Sequence, residues 1–208
     1  SALFNARSIS RIDILGLGGT TVFAFLLRLW RTANGLPYLH HWDEHYVAFR
    51  SLEMLVTRDL NPHYFHYGSL QMYLLLAIDW VHSLYLKALP GTSLLALTEV
   101  NPLAYGEPTG FGWYLSHPSF LFWNRVLTVV LGALTVAIIY YLGLKLANRF
   151  SAVAAALLLA GTLEHVKHSA FVTTDIPMGF FVWAAVLFSY LFHQNQKLRD
   201  KKYQIQLL

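Results

Sequence analysis

VLTVVLGALTVAIIYYLGL, residues Val126–Leu144, contains no charged side chain. A helix needs roughly 20 apolar residues to cross the hydrocarbon core of a bilayer, and this stretch supplies them. Its flanks widen the span to about residues 123–146. The composition agrees with a membrane assignment. The chain of 208 residues is 56% hydrophobic and 12% charged, and its mean hydropathy is +0.44. Soluble domains carry about 25% charged residues, so this polar surface is too small to cover a water-soluble globule. With no cysteine, disulfides and thiolate metal sites are excluded. The formal net charge of +4 is modest and gives no basis for a nucleic-acid partner.

Three further spans are predicted on either side: about residues 12–30, 150–171 and 176–196. The first is followed by Arg28 and Arg31 and not by a small-residue cleavage site, so it reads as an anchor and not as a cleaved leader. Arg28 is expected to snorkel to the headgroups. Gly16-Leu17-Gly18-Gly19 superficially resembles a nucleotide-binding loop, but it lies inside an apolar span with no preceding strand, and close helix packing is the better reading. Basic residues flank span ends at Arg7/Arg11, Lys145/Arg149 and Lys197–Lys202. The positive-inside rule puts these clusters, and hence the N-terminus and the C-terminal end, in the cytoplasm. Four spans satisfy that parity and five do not. Residues 69–89, long enough to cross but carrying Asp79, His82 and Lys87, are therefore expected to form an interfacial helix. Asp79 and Lys87 would lie on its solvated face. The fold expected is an all-α polytopic membrane protein, residues 1–208 forming one membrane domain. Its large extracytoplasmic loop, residues 31–119, is broken by Pro90, Gly91, Pro102, Gly106 and Pro108. No internal repeat or low-complexity tract stands out.

That loop holds the residues with chemistry in them. His40-His41-Trp42-Asp43-Glu44-His45-Tyr46 presents two adjacent acids among three histidines, and Asn61–Leu70 adds a second aromatic and histidine cluster. Carboxylates beside a membrane call for a charge, a metal or a substrate to answer them. The bland alternative is an interfacial loop with solvated acids and an aromatic belt. Glu164 and His168 stand one helical turn apart, a spacing found in metal sites and also on ordinary headgroup-facing turns.

In order along the chain, these pieces resemble the GT-C glycosyltransferases, among them the protein O-mannosyltransferases and lipid A aminoarabinose transferases. Asp43-Glu44 after the first span is similar to their acidic pair. Phe65-His66-Tyr67-Gly68-Ser69-Leu70 with Tyr73-Leu74 resembles a family segment that commonly has proline where Gly68 stands. Arg125 leading into Gly132-Ala-Leu-Thr-Val, and Thr173-Thr174-Asp175 with Pro177, resemble a later span and a second acidic loop. The resemblance implies transfer of a sugar from a polyprenyl-phosphate carrier to an acceptor hydroxyl on the extracytoplasmic side of the cell membrane. Asp43 would be the general base with Glu44 beside it, and Arg125, His66 and Tyr67 would bind substrate. A divalent metal ion could be held by Asp175, His66 and His168. Such enzymes have many more spans, so the resemblance also implies that this is a fragment of a longer chain. The competing expectation is a structural or accessory transmembrane subunit of a larger complex, with other membrane subunits as partners.

Overall fold

The computed structural model describes residues 9–36, 38–39, 41–88, 113–114 and 118–206. Among the described residues the regular elements are helices and one small antiparallel bridge. In chain order the elements are α1 (Arg11–Leu29), β1 (Tyr38–Leu39), α2 (Trp42–Thr57), α3 (Ser69–Ala88), β2 (Trp113–Tyr114), α4 (Pro118–Leu146), α5 (Arg149–Gly161), α6 (Leu163–Ser169) and α7 (Asp175–Gln206). Three helices are long and apolar enough to cross a membrane: α1, α4 and residues 175–196 of α7. A fourth span is available if α5 and α6, bent by 59° at their junction, count as one. The expected polytopic α-helical class holds, and α3 does not qualify as a span.

Small residues bring the spans together. A Cβ at Gly16 would lie 2.2 Å from the Tyr140 hydroxyl, so α1 and α4 meet there, whereas Gly18 and Gly19 face open space. Gly143 of α4 lies against the backbone of α5 itself: a Cβ would fall 2.7 Å from Ala152 Cα. Ala152, Ala156 and Ala160, one turn apart, are fully buried along the same contact. Lipid offers no hydrophobic driving force between helices, so such close backbone approach is what packs them. At one end of the bundle Ser10 caps α1 and exchanges hydrogen bonds with Asp13, and Arg149 Nε reaches Asp13 at 2.7 Å. The start of α1 is thereby fastened to the start of α5.

At the other end two arginines turn inward. Arg28 was expected at the headgroups, but its side chain is fully buried. Its guanidinium donates to Ser169 Oγ, to the carbonyls of Ala24, Leu159 and Ala160, and to His165 Nδ1. Leu159 and Ala160 are in the last turn of α5, where carbonyls lose their helical partners. A helix break away from water survives only where the protein answers those groups, and Arg28 helps to do so. Asp79, expected on a solvated face, is likewise fully buried. Viewed alone, α3 shows an amphipathic pattern, but α2 and α4 cover the side bearing Asp79.

Candidate functional site

The acidic pair opens α2. His41 caps the helix, its Nδ1 accepting from the Asp43 amide at 3.2 Å. Because adjacent residues on a helix diverge, the two acids meet different surroundings. Glu44 points into the protein and is fully buried. Arg125 Nε and an Nη each donate to one of its carboxylate oxygens at 2.8 Å, a bidentate pair, and the Val172 amide donates at 2.9 Å. The other Nη of Arg125 donates to the carbonyls of Thr32 at 2.8 Å and Asn34 at 2.9 Å. The guanidinium also lies 5.3 Å from the centre of the Phe171 ring. This one ion pair joins the exit of α1, the entry of α2, the entry of α4 and the turn between α6 and α7.

Asp43 sits at the rim, its side chain 38% exposed. Tyr67 donates its hydroxyl to Asp43 Oδ1 at 2.9 Å, and that bond is the main reason the phenol is pushed up to about 12. The phenol therefore remains a donor across the neutral range. Asp43 Oδ2 lies 3.9 Å from His41 Nδ1, beyond hydrogen-bond reach. Tyr64 stacks on Tyr46 and packs edge-on against Tyr67, which holds the 58–68 loop against α2.

Beside this rim stands a second acid and histidine group. His168 at the end of α6 has Nε2 3.3 Å from Glu164 and Nδ1 3.4 Å from Asp175, which opens α7. The His41 ring is 5.7 Å from that of His168 and 5.3 Å from that of Phe171. Gln71 of α3 donates to the Thr173 carbonyl at 3.0 Å and secures the turn from behind.

The expected site residues thus divide into groups. Asp43, Tyr67, His41, His168 and Asp175 line one rim. Glu44 and Arg125 lie beneath it as a sealed pair, so Arg125 does not present an open phosphate cradle. His66 is exposed, its ring 5.2 Å from Tyr64, and it does not join His168 and Asp175. Among the described residues no group of three or more histidine or acidic side chains is arranged to hold a metal ion. Each nitrogen of His168 lies near a carboxylate, though Nδ1 closes no hydrogen bond, and the group is not arranged as a metal cradle. His40 lies outside the described residues. In the sequence His41 stands out only as one of three histidines; its capping role is set by the structure, since histidine is not among the residues favoured at helix starts.

Comparison with known proteins bears on the C-terminal part. Residues 119–204 match the family model for dolichyl-phosphate-mannose-protein mannosyltransferase. No curated protein matches the chain, and no solved structure does. The matched region contains Arg125, His168 and Asp175, while Asp43, Glu44 and Tyr67 precede it. From α4 to α7 the chain is therefore similar to the dolichyl-phosphate-mannose-protein mannosyltransferases, as the motifs at Arg125 and Asp175 implied.

Proposed function

We propose that this chain forms the catalytic rim of a membrane glycosyltransferase that moves a sugar from a polyprenyl-phosphate carrier to an acceptor hydroxyl on the extracytoplasmic side. Asp43 is the general base. The acceptor oxygen attacks the anomeric carbon as its proton passes to Asp43, and the bond from that carbon to the lipid phosphate oxygen breaks. The observation that carries the reading is the contrast between the two neighbouring acids. Glu44 is sealed and neutralised by Arg125, whereas Asp43 is half-exposed, anchored at one oxygen by Tyr67 and with the other out of reach of any donor among the described residues.

In this reading Arg125 and Glu44 are positioning residues. They fix the start of α2, and with it Asp43, against the turn that carries Asp175. Because the donor set around His168 does not form a metal cradle, no step is routed through a metal. The test is transfer from a polyprenyl-phosphate sugar by the Asp43→Asn variant in membranes. That substitution keeps the shape and removes the base, and the expected loss is on the order of 10²–10⁴-fold. Near-normal turnover would remove Asp43 from catalysis and favour the accessory-subunit reading.

A further inference from the structure

Away from that rim, Asp79 lies mid-way along α3, on the buried face shared with Gln71, Met72, Leu75 and His82. It is fully buried. Its Oδ2 lies 2.7 Å from Ser51 Oγ of α2, and the same hydroxyl lies 2.8 Å from the Ala48 carbonyl. Asp79 Oδ1 is buried with no hydrogen-bond partner. Asn124 reaches across from α4 close enough to favour the ionised carboxyl, although neither its amide nitrogen nor its oxygen closes a good hydrogen bond.

The charged groups nearby are committed elsewhere. On α2, Arg50 pairs with Glu53, and Glu44 pairs with Arg125 of α4. On α3 itself, His82 is engaged with Ser119 at 3.0 Å. Among the described residues, then, the groups facing Asp79 from the packed helices are Ser51 and Asn124, both neutral.

A buried carboxylate with no cation is strongly disfavoured relative to its acid. The hydrogen-bond geometry points the same way. Ser51 has one hydroxyl proton and two acceptors within reach, so it can fully satisfy only one of them. With a proton on Asp79 Oδ2 the chain closes: Asp79 donates to Ser51, and Ser51 donates to the Ala48 carbonyl. Burial pushes the Asp79 carboxyl up from 3.8 to about 7, with Ser51 and Asn124 pulling the other way.

We propose that Asp79 is a proton-binding site, a neutral carboxylic acid whose proton fastens α3 to α2 behind the rim. The proposal is independent of the role given to Asp43. Since the folded state holds the proton more tightly than the unfolded chain, the stabilisation is complete below about pH 4. It is lost as pH rises through about 7. Above that, the ionised acid sits unpaired in the seam.

The test is infrared spectroscopy of the purified protein in lipid, following the carbonyl stretch of a protonated carboxylic acid. The band is expected at about pH 5, to fade by about pH 9, and to be absent from Asp79→Asn. Its frequency should move in Ser51→Ala, which removes the hydroxyl partner and serves if Asp79→Asn does not fold. The melting temperature of the wild type should fall across the same pH range and that of Asp79→Asn should stay flat. A wild type without the band at the acidic end, a band that survives in Asp79→Asn, or equal pH slopes in the two proteins would overturn the proposal.

Discussion

Removing either partner of the Glu44–Arg125 pair leaves an ion sealed from water, which costs about 3–5 kcal/mol. Arg125→Ala should therefore unfold earlier in denaturant by that amount. Arg125→Lys should recover little, since an ammonium cannot grip both carboxylate oxygens and two carbonyls together. Asp43→Asn, at the half-exposed rim, should change stability by less than about 0.5 kcal/mol. These values separate the positioning role from the phosphate-binding role expected of Arg125. A normally stable Arg125→Ala that has lost transfer would return the guanidinium to the chemistry. The need for an anion at Arg125 was legible in the sequence, because an arginine leading into an apolar span must be answered. Which anion was not. The rotation of α2 that turns Glu44 inward and Asp43 outward is set by α4 and by the Phe171–Val172 turn, both far away in the chain.

Among the helices, what matters is how closely the backbones approach. Gly143 and Gly179 look alike in the sequence, each a glycine in an apolar helix. At Gly143 a Cβ would meet the Ala152 backbone at 2.7 Å, and backbone cannot step aside as a flexible side chain can. At Gly179 nothing lies within 4 Å. Gly143→Ala should cost roughly 1–3 kcal/mol through overpacking. Gly179→Ala should gain up to about 1 kcal/mol from helix propensity. Thermal unfolding of the two variants in one detergent decides it, and equal responses would contradict the packing. The spans at α1, α4 and α7 were readable because apolar length is a property of a segment by itself. The break between α5 and α6 was not, since it depends on Arg28 reaching the carbonyls of Leu159 and Ala160 from another helix. Asp79 was misplaced for the same reason: the pattern of α3 does not reveal that α2 and α4 cover it.

For the whole molecule, contacts define two ends. Ser10, Asp13 and Arg149 meet at one end, and Thr32, Glu44, Arg125 and Val172 at the other. Between β1 and β2 the chain makes α2 and α3 and returns to the same place, because Tyr38 pairs with Tyr114 and Leu39 with Trp113. The basic clusters lead to the expectation that α3 stays on one face of the membrane, and on that expectation Asp43, His168 and Asp175 share one side. The cysteine-free sequence makes the arrangement directly measurable. Phe65 is exposed on the loop before α3, Glu164 is exposed on α6, and Ala147 is exposed between α4 and α5. Single cysteines at these positions should react with a membrane-impermeant thiol reagent from one side for Phe65→Cys and Glu164→Cys. Ala147→Cys should react only after the membrane is opened. Labelling of Phe65→Cys and Ala147→Cys from the same side would require α3 to cross the bilayer. The rim would then be divided between two compartments, and Asp43 could not share a substrate with Asp175.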